Sequence, residues 1–126
     1  MTTPSIYNDI KEKGYVVFSI QKSKLPNYYP GVFNSYPGVS IKELKIYDLI
    51  TIKVYITDES SDLPQLIDDY IDLTIKSIND GRVIAQVLTR LPKDFHFKTG
   101  SAIEILEEEI LYYIPVGNSF KDRSVN

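Results

Sequence analysis

The chain contains no cysteine. That excludes a disulfide framework, a thiolate nucleophile and a zinc cluster of the Cys type. It is compatible with a reducing compartment. Histidine occurs once, as His96. Zinc sites usually recruit several His or Cys ligands, so neither a catalytic zinc nor any other metal centre is expected. The six glycines stand far apart, and neither a Walker loop nor a dinucleotide fingerprint can be drawn through them. No uncharged apolar run approaches the roughly 20 residues that span a bilayer. The start, MTTPSIYNDIKEKG, lacks a basic segment followed by an apolar one, so no signal peptide is expected and a cytoplasmic location is. Positive charge is also in deficit: the formal net charge is −3. Affinity for phosphate backbones rests on clustered Lys and Arg, and this balance argues against nucleic acid.

What is present fits one ordinary soluble domain. The 126 residues are 43% apolar and 25% charged, enough to bury a core without staples. We expect one domain over 1–126, with "GNSFKDRSVN" at 117–126 as a flexible tail. Charge is unevenly placed. Residues 1–57 carry seven Lys against four acids, a balance of +3, and 58–126 carry seven Lys/Arg against thirteen acids, a balance of −6. The sharpest acidic cluster is Asp58, Glu59, Asp62, Asp68, Asp69 and Asp72, with no base among them. It reads either as a solvated loop or as a patch that meets a basic partner.

Local patterns supply the elements. Ser5 to Lys13 reads as a short helix, with Ser5 as cap, Ile6 and Ile10 on one face and Gly14 as stop. "YVVFSIQ" at 15–21 is β-branched and aromatic, a strand. A single turn is expected at 40–44. In "KIYDLITIKVYIT", Ile50, Ile52, Val54 and Ile56 alternate with Thr51, Lys53 and Tyr55, the mark of a half-buried strand. Residues 62–81 admit two readings. Leu63, Leu66, Ile67, Tyr70, Ile71, Ile75 and Ile78 make a helical stripe capped by Asp62. Alternatively a strand starts near Asp69, with Ile71, Leu73 and Ile75 inward, and Asn79-Asp80-Gly81 turns it into "RVIAQVL". Leu73 and the Asp-Gly pair favour the strand. "AIEIL" at 102–106 and "ILYYIPV" at 110–116 complete the strands. A weak echo links "LKIYDLITI" at 44–52 with "FKTGSAIEI" at 97–105, each reading as a tight turn that feeds a strand.

The densest feature is "NYYPGVFNSYPGVS" at 27–40. Tyr-Pro-Gly-Val occurs twice, and Pro30-Gly31 and Pro37-Gly38 each suit a type II turn. Tyr28, Tyr29, Phe33 and Tyr36 offer large apolar area, and three of them carry polar tips, which suits an interface. The same rings would equally close one open end of a sheet.

The run "DYIDLTIKSINDGRVIAQVLTRLPKDFHFKTGSAIEILEEEI", residues 69–110, with "ELKIYDLITIKVYI" at 43–56, resembles the YegJ-like family of small bacterial domains. The shared pattern is a strand, an acidic-Gly turn, a strand, a Pro-containing loop, then an apolar-Lys-x-Gly-Asp step into a strand that ends in acids. Ser101 stands where the family has Asp, and Tyr47 where it prefers Gly. The resemblance covers roughly half the chain. It implies a small α+β domain, sometimes found in toxin–immunity neighbourhoods, without established catalysis.

Ser101, His96 and Asp94 could be assembled into a triad on paper, yet no nucleophile elbow exists. No carboxylate pair is singled out for hydrolysis. The acidic cluster lacks the spacing and central Gly of a calcium loop. The expectation is a single α+β domain: a mainly antiparallel curved sheet, or small partly open barrel, with one N-terminal helix. Its expected role is non-enzymatic binding without a cofactor. A basic protein partner would meet the Tyr loop and the acids Asp62, Asp68 and Asp69, in the manner of an immunity-type inhibitor. The alternative is a small-ligand or carbohydrate module with the Tyr loop lining a groove.

Overall fold

Ser5 opens the first helix as its composition demands. Its Oγ accepts the Tyr7 N–H at 3.2 Å, and α1 runs Ile6–Lys13. Gly14 ends it at φ +93, with its N–H on the Ile10 carbonyl. The exposed His96 ring lies over Gly14 and would have to shift for a Cβ there, but the positive φ is what favours glycine. The computed structural model describes residues 5–25, 28–29, 36–58, 65–91 and 95–116.

Among the described residues six strands follow in one sheet: β1 (Val16–Val17), β2 (Leu49–Asp58), β3 (Gln65–Asn79), β4 (Arg82–Val87), β5 (Ala102–Leu106) and β6 (Tyr112–Ile114). Their order is β1-β2-β3-β4-β5, all antiparallel, with β6 also on β2. A 3-10 turn at Glu107–Glu109 carries the chain from β5 back to β2. The sheet curls into a half-barrel, and with α1 it forms a single α+β domain.

The hairpin wins over the helix at 62–81. Asn79 pairs with Arg82 about Asp80 (φ +45) and Gly81 (φ +79), two consecutive positive φ values that a type I′ turn needs. Ile71, Leu73 and Ile75 are fully buried on one face, the period-2 pattern. The strand begins at Gln65 rather than near Asp69 because it follows β2 out to Asp58. The strand expected at 15–21 shrinks to Val16–Val17. Phe18 still donates its N–H to Lys53, but the chain then leaves β2, and Ile20 bonds the Glu108 carbonyl. The turn expected at 40–44 is a 3-10 turn at Ile41–Glu43, capped by the Ser40 side chain. Gly38, at φ +83, takes the positive φ expected after Pro37.

The weak echo is structural. At Lys45–Asp48 the Asp48 N–H returns to the Lys45 carbonyl, with Tyr47 at φ +76. At Lys98–Ser101 the Ser101 N–H returns to Lys98, with Gly100 at φ +91. Each turn runs into a bulge of the G1 kind. Tyr47 donates to Ile75, which donates to Asp48; Gly100 donates to Val87, which donates to Ser101. These bulges fix the register in which β2 and β5 join the sheet.

Two cores result. The concave face buries Leu44, Ile50, Ile52, Val54, Ile71, Leu73, Ile75, Val83, Ala85, Val87, Ile105 and Ile110. Each large aliphatic among them contributes roughly 2 kcal/mol by burial. The opposite face of β2 carries a second cluster, in which α1 sets Ile6 and Ile10 beside Val16, Phe18, Tyr28, Tyr29, Tyr55 and Leu111.

Candidate functional site

Alternation along β2 sends Thr51, Lys53 and Tyr55 to the outer face, and the ladder places Asp72, Tyr70 and Asp68 opposite them on β3. Sequence patterning read Lys53 as solvent-facing. It is 3% exposed. Its Nζ lies 3.0 Å from Asp68 Oδ2, 5.3 Å from the Tyr70 ring centroid and 5.5 Å from that of Tyr55. Burial would lower its pKa. The hydrogen bond to Asp68 outweighs that, aided by the nearby Tyr55 and Asp68, and holds it above the usual lysine range. Lys53 therefore remains a cation under tyrosine rings.

Tyr36 lies near this cation. Its hydroxyl meets that of Tyr70 at 3.1 Å, and its ring stands edge-on to Tyr112 at 5.7 Å and to Phe18 at 5.3 Å. Burial, then the bond to Tyr70, pushes the Tyr36 hydroxyl up to about 12 against the pull of Lys53. Tyr70 and Tyr112 remain 44% and 48% exposed, and Ile114 beside Leu49 is also exposed. Asp68 and Asp72 flank Tyr70 on its own strand and face, and Thr51 donates to Asp72 at 2.9 Å. The result is an aromatic face rimmed by carboxylates and braced from below by an ion pair. Under it the Tyr55 hydroxyl is buried with no hydrogen-bond partner among the described residues.

The expected site residues separate. Tyr28 and Tyr29, expected as binding residues with closure of the sheet as the alternative, are core residues, 1% and 8% exposed. Tyr28 donates to Asp9, and Tyr29 accepts the Ser19 N–H at 2.9 Å. Their rings meet at 4.7 Å, and Tyr29 stacks on Phe18 at 4.8 Å. The physical reason is the second core: Tyr55, Ile6 and Ile10 need a cover, and these rings supply it. Tyr36 is half-buried and belongs to the outer face. Asp68 and Asp69 do not form one patch. As neighbours on a strand they point to opposite faces, Asp68 to Lys53 and Asp69 to the other side. Phe33 and Asp62 lie outside the described residues, as do Pro30 and Gly31. Lys53, Tyr70 and Tyr112 were missed. The signal available was tyrosine recurring at outward strand positions.

A second concavity, a cavity of about 500 Å³, opens between α1, β1 and the ends of β4 and β5. Its walls carry Asp9, Glu12, Lys13, Lys22, Arg82, Glu104 and Glu109, and none of Tyr28, Tyr29 or Tyr36. Arg82 and Glu104 pair at 3.0 Å. Burial raises the Glu109 pKa, although its carboxylate accepts the Leu106 N–H at 2.9 Å. His96 is exposed, stacks on Tyr15 at 5.5 Å and packs against Gly14. Among the described residues no group of three or more His, Asp or Glu is placed to hold a metal ion, and no helix is long and apolar enough to cross a membrane.

Comparison with family models, with curated proteins and with solved structures found no match.

Proposed function

We propose that the chain is a non-enzymatic binding domain that grips a basic protein partner with the outer face of its sheet, in the manner of an immunity-type inhibitor. The observation that carries this reading is the exposed display of Tyr70 and Tyr112, linked through Tyr36, with Tyr70 seated on the Lys53–Asp68 pair. Rings held before binding lose little entropy on binding, and exposed Tyr clusters are frequent binding hot spots. The rim of Asp68 and Asp72 favours Lys and Arg on the partner, whose guanidinium groups also stack on tyrosine. The YegJ-like pattern supports the same class. Tyr47, which stands where that family prefers Gly, adopts the positive φ that a Gly there would serve.

The products of genes flanking this one, co-expressed with it, test the reading. The expected result is a stable complex whose Kd, measured by calorimetry, weakens at least fivefold in Tyr70→Ser/Tyr112→Ser, about 1 kcal/mol as expected of interface aromatics. A partner bound equally well by that double variant removes the outer face as the site.

A further inference from the structure

β3 runs on well past the end of its ladder with β4. That ladder spans Leu73–Val87 to Asn79–Arg82. One more bond joins the Leu88 N–H to the Asp72 carbonyl, and the Asp72 N–H turns to Thr89 Oγ1. From Gln65 to Ile71, β3 is paired with β2 on one side, and no strand of the described residues pairs with the other. In an antiparallel strand, successive residues aim their N–H and C=O to opposite sides. Asp72 aims toward β4, so Tyr70, Asp68 and Leu66 aim the same way, along the open edge. The Tyr70 N–H there bonds the carboxylate of its own neighbour, Asp69 Oδ1, at 2.9 Å. That contact is a local stopper of the kind that keeps an edge from pairing at random.

We infer that this edge, Leu66 to Tyr70, accepts an extended, lysine- or arginine-rich segment of a protein partner as an added strand. The inference deepens the reading of the chain as a protein-binding domain and rests on it. Strand addition satisfies the open backbone groups, and side chains at alternate positions set specificity. Charge selects the occupant. From Gln65 to Ile75 the strand holds Asp68, Asp69 and Asp72 and no base. Asp72 rims the outer face, where Asp68 is already paired with Lys53, and Asp69 the other, so an incoming strand meets a carboxylate whichever face its basic side chains take. A second copy of this chain would set the same carboxylates against each other, which disfavours self-pairing. The added strand would lie beside Tyr70 and extend the aromatic face rather than compete with it. Displacing Asp69 from the Tyr70 N–H is the local change that binding requires.

Amide hydrogen exchange and chemical shifts, followed with a capped alternating Lys-Val heptapeptide, test this. The expected result is slowed exchange at Leu66, Asp68 and Tyr70, affinity that falls as salt rises, and at least tenfold weaker binding of the same peptide N-methylated at alternate residues. An alternating Glu-Val peptide should not bind. Equal binding of the N-methylated peptide, protection elsewhere, or no shift at millimolar peptide would overturn the proposal. So would concentration-dependent dimerisation through this edge, seen by sedimentation together with loss of peptide binding. Tyr112→Ser on β6 should leave peptide affinity unchanged while weakening the whole-protein partner, so the edge and the aromatic face fail separately.

Discussion

Lys53 Nζ lies 3.0 Å from Asp68 Oδ2, with the lysine buried and the aspartate side chain 45% exposed. The asymmetry decides what the pair does. The buried cation depends on its partner, whereas the carboxylate can fall back on water. The pair also sits directly beneath the ring that Tyr70 displays, so it sets the floor of the candidate binding face.

Asp68→Asn should therefore destabilise the fold by about 2 kcal/mol, below the ~3–5 kcal/mol of a closed pair because water reaches Asp68. Lys53→Met removes the charge that needs a partner and should stay within about 1 kcal/mol of the parent. Urea unfolding at pH 7 compares them. Equal loss in both variants would mean that the lysine is held by packing of its stem and not by its charge.

Alkaline pH should unfold the protein in a defined window. Burial raises the hydroxyl pKa values of Tyr28, Tyr29 and Tyr36, the last to about 12; for Lys53 burial lowers the pKa, and the Asp68 bond together with the nearby Tyr55, Asp68 and Tyr36 more than offsets it. All four bind their protons more tightly folded than unfolded, where Tyr titrates near pH ~10 and Lys near ~10.4. The stability they contribute is complete below about pH 10 and is lost as pH climbs through the folded values. The urea midpoint should be flat from about pH 7 to 9 and fall steeply above about 10, together with a late rise in tyrosinate absorbance. A flat midpoint up to pH ~12 would refute it.

The two bulges make a paired prediction. Tyr47 and Gly100 occupy the same position in matching turns, at φ +76 and φ +91. A side chain there costs about 1–2 kcal/mol. Tyr47→Gly should stay within about 1 kcal/mol of the parent, because relief of the positive φ is offset by the ~0.5–1 kcal/mol entropy cost of glycine and the ~0.5–1 kcal/mol of the Lys76–Tyr47 contact at 5.6 Å. Gly100→Ala meets nothing within 4 Å, so its loss of about 1 kcal/mol should come from φ alone. Thermal unfolding of both variants checks the magnitudes. A neutral Gly100→Ala would show that the turn relaxes.

Much of the fold was legible because its signals are local. Ser5 and Gly14 bracket α1, alternation marks β2, and Asp80-Gly81 marks the hairpin. The echo between 44–52 and 97–105 pointed to the two turns, though not to the bulges that follow them. The site was less legible because it is built across strands. That Lys53 meets Asp68 and Tyr70 depends on the β2–β3 register, which places residues far apart in the chain face to face. The fate of the tyrosine loop turned on a second core behind β2, which alternation alone does not reveal. Inward-facing Ile positions account for one core, while Tyr55 stands at a position that pattern assigns to solvent.

That second core separates tyrosines that look alike in the sequence. Tyr29 is enclosed by Phe18, Tyr28 and Tyr55, with ring centroids 4.8, 4.7 and 5.2 Å away, and its hydroxyl takes the Ser19 N–H. Truncation there leaves a cavity and an unpaired N–H, so Tyr29→Ser should cost about 3–5 kcal/mol of folding stability. Tyr112 is 48% exposed and rests on Tyr36 by one edge. Its replacement by Ser should cost less than about 1 kcal/mol, the ordinary range for a surface position. Denaturant unfolding of both variants decides. A large loss at Tyr112 would make the outer rings a lid on the fold, and binding data from that variant would then report unfolding rather than contact. A small loss at Tyr29 would mean that the cluster behind β2 is loosely packed, and the rigidity on which the outer face depends would go with it.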